Sequence, residues 1–157
     1  MLRGDGMKRL FCFVLAAMLL LCACSQYAEP DVSRLTGELI SSQGLEDMTY
    51  ADDTDVGILF GVELKDVEEY SVCYSGKGGY ADMIAIFKLG DSGEPEAVAE
   101  LLRSYKEHRY EDFKGYAPFE AEKVENGRVA VYDRYVLLVI LPDISAAQDT
   151  LDRAFKK

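Results

Sequence analysis

The sequence has no tryptophan and a single histidine, His108, which limits the chemistry open to the chain. Catalytic zinc sites of the common kind use several histidines, so one histidine excludes them. Cysteine is also scarce, because Cys73 is the one cysteine beyond the first 24 residues. It has no partner there for an intramolecular disulfide, and a lone thiol with one histidine is a weak indication of a nucleophilic pair. We therefore expect Cys73 to be a small strand residue.

Basic residues are also fewer than acidic ones. The chain has 17 Lys and Arg residues against 28 Asp and Glu residues, which gives a formal net charge of −11. An acidic surface repels the phosphate backbone of nucleic acids and anionic lipid headgroups. We therefore expect no nucleic-acid partner, and any contact with a membrane has to come from something other than a basic patch.

An apolar run of signal-peptide length occurs near the N-terminus. A basic pair, Lys8-Arg9, precedes the run, which extends from Leu10 to Leu21. The run is shorter than the roughly 20 apolar residues of a membrane-spanning helix, and it has the charge and length of a secretory signal. Its last residues, Leu21-Cys22-Ala23-Cys24, resemble the lipobox of bacterial lipoproteins. An uncleaved anchor and a signal cleaved without lipidation are the alternatives.

The lipobox resemblance implies that residues 1–23 are removed and that Cys24 carries acyl chains such as palmitate. The membrane is then a partner through this lipid, and the location is the extracytoplasmic face of the cell membrane. Residues 24–31 would form a tether, and residues 32–157 would form one domain. Residues 1–23 hold three basic residues and one acidic residue, so the remaining chain has 14 basic and 27 acidic residues, a net charge of −13.

The stretch from Glu46 to Asp55 is rich in carboxylates. Asp52, Asp53 and Asp55 are candidate oxygen ligands for Ca²⁺. However, the stretch lacks the central glycine and the closing glutamate of an EF-hand loop. We favour a solvated loop in which Asp53 or Asp55 caps a short helical segment, and we assign no metal ligand.

Two pairs of β-prone runs predict two hairpins. The first pairs the alternating residues Tyr70 to Tyr74 with Met83 to Lys88, across the glycine-rich segment Ser75 to Gly79. That segment joins two strands and lacks the GxxxxGK[ST] pattern, so it predicts a turn and not a phosphate-binding loop. The second hairpin pairs Arg128 to Tyr132 with Tyr135 to Leu141, a nearly continuous apolar run that indicates a central strand.

Helices are predicted before, between and after the hairpins. The first is indicated by Val32, Leu35, Leu39 and Ile40, with a stop at Gly44. The second is indicated by Pro95, Val98, Leu101, Leu102 and Tyr105. Ser145 and Gln148 mark the start of the last one. These elements predict an α+β domain with a four-stranded, mainly antiparallel sheet built from two hairpins, and with helices packed mainly on one face.

An aromatic connection follows the second helix. It contains Phe113, Tyr116, Pro118 and Phe119. Side chains of this kind either pack beneath a sheet or line a groove or partner site. Packing beneath the sheet is the favoured interpretation.

Several of these segments together resemble one protein family. They are the lipobox, Tyr80-Ala81-Asp82-Met83-Ile84-Ala85-Ile86-Phe87, Tyr116-Ala117-Pro118 and Tyr135-Val136-Leu137-Leu138. The chain resembles the bacterial lipoproteins grouped as domain of unknown function 4358. The resemblance implies an extracytoplasmic lipoprotein, expected in Gram-positive bacteria, and it brings no assigned reaction, cofactor or catalytic residue.

The expected function is that of a non-enzymatic, lipid-anchored module that binds an envelope protein or a small ligand. The sequence contains no catalytic constellation that would favour an enzyme, and we expect no cofactor. The alternative is a cell-envelope hydrolase that uses paired carboxylates, because acid–base catalysis of that kind needs two such groups in place. A metal-binding protein that uses the acidic stretch is a third possibility.

Overall fold

Five strands and five helices follow one another along residues 27–156, the part of the chain that the computed structural model describes. The helices are α1 (Val32–Gln43), α2 (Asp53–Phe60), α3 (Pro95–Lys114), α4 (Pro118–Asn126) and α5 (Ile144–Phe155). The strands are β1 (Met48–Tyr50), β2 (Val67–Ser75), β3 (Met83–Leu89), β4 (Arg128–Tyr132) and β5 (Tyr135–Ile140). A single 3₁₀ turn, Leu64–Asp66, leads into β2.

The strands form one antiparallel sheet in the order β1-β2-β3-β5-β4. The two predicted hairpins, β2–β3 and β4–β5, are confirmed and lie side by side through β3 and β5. The prediction of four strands is wrong, because β1 adds a fifth at the edge by pairing Met48 with Ser75 and Tyr50 with Cys73. A strand of three residues is too short to show an alternating pattern in the sequence.

Both faces of the sheet are covered by helices. In β3 and β5, Ala85, Phe87 and Leu138 pack in one cluster with residues of α2, α3 and α4. Their neighbours Ile86 and Leu137 pack in a second cluster with residues of α1 and α5. The helices are therefore divided between two faces, contrary to the expectation that they pack mainly on one. Strands buried on both sides read as continuous apolar runs, so their sequence does not show how helices are shared between faces.

The ends of the helices follow local signals. Gly44 follows α1 with φ of 61°, a left-handed conformation that glycine adopts without steric cost, and the predicted stop is confirmed. The last helix is also confirmed, although its cap is Asp143 and not Ser145. The Asp143 carboxylate accepts a hydrogen bond from the Ala146 amide at 2.9 Å, which satisfies one of the unpaired amides of the first turn.

Residues 27–31, which fall within the predicted tether, contact the domain. The Tyr27 ring packs edge-on against Tyr132, with ring centroids 5.3 Å apart. The Ala28 amide donates a hydrogen bond to the Phe155 carbonyl at 3.0 Å, and the Tyr135 hydroxyl donates one to the Pro30 carbonyl at 2.9 Å. Cys24 and the predicted signal peptide lie outside the described residues, so these assignments stay predictions.

We expect Tyr135→Phe to loosen this N-terminal segment. Tyr135 is 1% exposed, and the substitution leaves the Pro30 carbonyl without its hydroxyl donor. A loss of about 0.5–1.5 kcal/mol in the free energy of unfolding is expected from one such hydrogen bond. Hydrogen exchange should show faster exchange at Ala28, whereas Tyr50→Phe, at a ring that is 60% exposed, should leave both quantities unchanged. Equal effects of the two substitutions would contradict the role of this contact.

Candidate functional site

Three ionic side chains meet where the β2–β3 connection crosses α4. The Lys123 ammonium donates hydrogen bonds to Asp82 Oδ1 at 2.9 Å and to Glu120 Oε2 at 2.8 Å. Glu120 Oε2 also accepts a hydrogen bond from the Ala81 amide at 2.7 Å. The side chains of Asp82, Glu120 and Lys123 are 6%, 16% and 14% exposed, respectively. We call these three residues the Lys123 cluster.

The carboxylates of the cluster keep Lys123 charged. Burial acts to lower the pKa of Lys123, but the hydrogen bonds from the ammonium to Glu120 and Asp82 outweigh it, and the pKa is raised above 10.5. A partly buried ammonium with two carboxylate partners is stable in its charged form. The cluster therefore holds the β2–β3 connection against α4.

Three large side chains on the two elements that the cluster joins, or just before α4, are exposed to solvent. Phe119 is 86% exposed, Tyr116 is 66% exposed and Tyr80 is 52% exposed. The Tyr80 ring lies 5.8 Å from the Lys123 ammonium, and Phe119 directly precedes Glu120 in α4. We call Tyr80, Tyr116 and Phe119 the aromatic patch. Exposed aromatic residues on neighbouring elements are candidates for an interaction site.

The sequence of α4 explains why Phe119 faces solvent. Pro118 begins the helix, where its missing amide costs nothing. Ala121 and Val124 are three residues apart and form the buried side of the helix. Phe119 is two positions before Ala121, which places it on the opposite side. The aromatic connection was expected either to pack beneath the sheet or to line a partner site, and its residues differ in this respect. Phe113 is 2% exposed and packs in the core, whereas Phe119 and Tyr116 are exposed to solvent.

The far end of α4 is fixed by a lysine of α3. The Lys106 ammonium donates hydrogen bonds to the carbonyls of Glu125 at 2.9 Å and Gly127 at 2.7 Å. Gly127 lies so close to β5 that a Cβ there would be 2.9 Å from Ile140 Cγ1. These contacts set the position of α4, and with it the position of Phe119.

The acidic stretch is used for helix capping. The prediction that Asp53 or Asp55 is the N-cap is wrong, because the cap is Asp52. The Asp52 carboxylate accepts a hydrogen bond from the Asp55 amide at 2.9 Å, and the Asp55 carboxylate accepts one from the Asp52 amide at 3.4 Å. Asp53 accepts a hydrogen bond from the Tyr70 hydroxyl. Within residues 27–156, no group of three or more His, Cys, Asp or Glu residues is placed to hold a metal ion.

Other residues considered in the sequence have structural surroundings. Cys73 is fully buried in β2, and burial raises the pKa of its thiol to about 11, which disfavours the reactive thiolate. Of the segment Ser75 to Gly79, Ser75 ends β2 and the glycine-rich remainder lies in the expected connection between two antiparallel strands. Its lysine, Lys77, pairs with Asp47 at 2.9 Å. Neither feature points to a nucleophile or a phosphate site.

The hydrolase alternative requires two carboxylates that are free to act on a substrate. Asp82 and Glu120 come together, but both are bound to the same ammonium. A general acid needs a proton to give, and a general base needs a free lone pair directed at the substrate. The Lys123 cluster uses these groups to join two elements of the fold, so it gives the hydrolase alternative little support.

We expect Lys123→Met to destabilise the fold, because it leaves Asp82 and Glu120 with no cation between them. The loss should be about 1–3 kcal/mol. Lys77→Met, at an ion pair whose lysine is 62% exposed, should leave stability nearly unchanged. Denaturant unfolding of the two variants measures the difference, and equal losses would contradict a special role for the cluster.

The comparison of wild type with Lys123→Met also predicts a pH dependence. The pKa of Lys123 is higher in the folded state than in the unfolded state, where it is near 10.5. The charged lysine therefore stabilises the fold fully at pH values below 10.5, and this contribution is lost as the pH rises through the folded-state pKa. The difference in unfolding free energy between wild type and Lys123→Met should therefore stay constant from neutral pH to about pH 9 and decrease above about pH 10.5. A difference that decreased between pH 7 and pH 9 would be inconsistent with this assignment.

Asp52→Ala distinguishes capping from calcium binding. Loss of an N-cap should cost about 0.5–2 kcal/mol, and calcium should not raise the melting temperature of wild type. Asp91→Ala, at an exposed turn residue, is the matched control and should be neutral. A calcium-dependent rise in the melting temperature of wild type that Asp52→Ala abolishes would instead support a metal site.

Comparison with known proteins gives one match. No curated protein and no solved structure matches the chain. The family model described as Domain of unknown function (DUF4358) matches residues 41–141, a range that begins before β1 and ends just after β5. It contains the aromatic patch and the Lys123 cluster, and it excludes residues 27–31. The lipobox lies outside the matched residues and stays a prediction. The match covers more than half of the sequence and confirms the resemblance to the domain family: the chain belongs to the DUF4358 family.

Proposed function

We propose that this protein is a non-enzymatic binding module, held on the extracytoplasmic face of the cell membrane by a lipid on Cys24, and that it contacts an envelope partner through the aromatic patch. The lipobox pattern at Leu21-Cys22-Ala23-Cys24 supports the anchor. None of the helices within residues 27–156 has the length and apolar character to cross a bilayer. The proposed attachment rests on the lipobox pattern.

The exposure of Phe119 carries the binding proposal. A phenylalanine that is 86% exposed leaves a large apolar surface in water, which costs free energy that a partner can recover by covering it. Phe119 projects from the surface, and a projecting aromatic suits insertion into a partner's pocket. A small ligand would instead need a concave site on this chain. The proposed partner is therefore a protein.

The charge of the chain adds a second requirement. With residues 1–23 removed, the formal net charge is −13. Charge complementarity speeds the encounter of two proteins and disfavours partners of like charge. A partner with a basic surface around an apolar pocket fits both the acidic chain and the aromatic patch.

Site-specific photo-crosslinking in cells tests this proposal. A photoreactive amino acid is placed at position 119 or, as the matched control, at position 58 on α2, because Ile58 is also highly exposed, at 78%. Position 119 should give one discrete protein adduct, and position 58 should not. Cys24→Ala should reduce the adduct, because the module would lose its place at the membrane.

A second substitution shows whether the adduct depends on the patch. Tyr116→Ser should reduce the yield at position 119 by about tenfold, as expected when an interface loses an aromatic anchor. Ile58→Ser should leave the yield unchanged. The binding proposal would be wrong if positions 119 and 58 gave the same adducts, if position 119 gave none, or if Tyr116→Ser had no effect.

A further inference from the structure

Several contacts of residues 27–31 lie at one end of the sheet. Tyr27 packs on Tyr132 and the Ala28 amide reaches the Phe155 carbonyl. Tyr132 pairs with Tyr135 at the β4–β5 turn. We call this the anchor end of the sheet, because the chain reaches the domain there.

Ion pairs fix Glu29 at the anchor end. Arg134, in the β4–β5 turn, donates hydrogen bonds to Glu29 at 2.9 Å and to Glu68 at 2.7 Å. The Lys88 ammonium lies 3.8 Å from Glu29 and 3.5 Å from Glu68, and its side chain is only 12% exposed. The N-terminal segment is therefore joined to the ends of β2, β3 and β5 and is not a free linker.

The remaining link to Cys24 is short. Only Ser25 and Gln26 separate Cys24 from Tyr27. Three Cα–Cα steps of about 3.8 Å reach about 11 Å even at full extension. If Cys24 carries the lipid, the anchor end has to stay near the headgroups.

The aromatic patch lies at the other end of the sheet. Lys88 pairs with Tyr135 at the anchor end, whereas Met83 pairs with Ile140 at the opposite end. The six steps from Met83 to Leu89 span about 20 Å at about 3.3 Å per residue. Asp82 directly precedes Met83, Tyr80 lies two residues before Asp82, and both lie next to Lys123 of α4. The length of β3 therefore separates Tyr80 and the start of α4 from the anchor end.

We infer that the domain stands on its anchor end, with the β4–β5 turn facing the bilayer and the aromatic patch directed away from it. The inference rests on the proposed function, in which Cys24 carries a lipid. It also limits the class of partner that can reach the aromatic patch. Aromatic side chains also bind membrane interfaces, but the lipids of the anchoring membrane are out of reach of a patch held at the far end. The partner is a protein located beyond the headgroup layer.

Charge opposes the alternative in which the domain lies on its side. With residues 1–23 removed, a chain of net charge −13 gains no overall electrostatic attraction from an anionic bilayer. Two basic side chains at the anchor end, Lys88 and Arg134, are paired with carboxylates. The short link therefore sets the orientation, and electrostatic repulsion keeps the rest of the domain away from the surface.

Fluorescence quenching on vesicles tests the orientation. Full-length lipoprotein purified from membranes is reconstituted into phosphatidylcholine and phosphatidylglycerol vesicles that contain a headgroup spin label. A fluorophore is attached to Asp91→Cys or, in a separate protein, to Lys77→Cys. Asp91 lines a hollow with Glu29 at the anchor end, and Lys77 lies in the β2–β3 connection. Cys73 is fully buried and stays unlabelled.

The expected result is loss of most fluorescence at position 91 and little loss at position 77. Insertion of ten Gly/Ser residues between Gln26 and Tyr27 should relieve the quenching at position 91, because it replaces the short link by a flexible one of about 17 Å average span. Equal quenching at the two positions, or stronger quenching at position 77, would overturn the orientation.

Vesicle flotation separates this outcome from failure of the lipid anchor. Wild type should float with vesicles, and Cys24→Ala should not. If wild type floats and the quenching pattern is reversed or uniform, the orientation is wrong and the anchor stands. If wild type does not float, the anchor on Cys24 is wrong, and the orientation that depends on it is wrong as well.

Discussion

The pairing of β3 with β5 is the constraint on which the rest of the structure depends. Six register pairs, from Met83 with Ile140 to Lys88 with Tyr135, join the two hairpins. Nearly every residue of the two strands is buried, and alternate residues belong to different clusters on the two faces. A slip of one residue would exchange the faces of a whole strand. This register therefore determines which helices each side chain contacts and which loops meet at each end.

Much of this architecture was predictable from the sequence, because the signals are local. Alternation and turn residues indicate both hairpins, helical spacing indicates α1 and α3, and the Ser145 and Gln148 pattern indicates α5. The missed elements have weak local signals: β1 has three residues, and the buried side of α4 consists of Ala121 and Val124 in a charged, aromatic stretch. Pro118 at its start and Gly127 at its end were the available clues. Strands that are apolar throughout show no alternation in their sequence, so the sequence does not indicate which helices cover which face of the sheet.

The candidate site was predictable only in part, for a related reason. The aromatic connection was visible in the sequence, but the burial of Phe113 and the exposure of Phe119 depend on how α4 is placed. The Lys123 cluster joins residues 41 positions apart, from Asp82 to Lys123. No spacing rule within one helix or hairpin relates such residues. Sequence patterns indicated which residues were unusual, and tertiary packing decided which of them reach solvent.

The short strand β1 has a consequence for self-association. It pairs with only three residues of the nine-residue β2, Cys73 to Ser75, so the anchor-end half of that strand forms an edge. Unprotected edges invite another chain to extend the sheet. Here Glu68 lies on that half of β2 and is paired with Lys88 and Arg134, so an added strand would have to displace or bury a charged network. The ion pairs that hold the N-terminal segment thus also disfavour aggregation through the edge of β2.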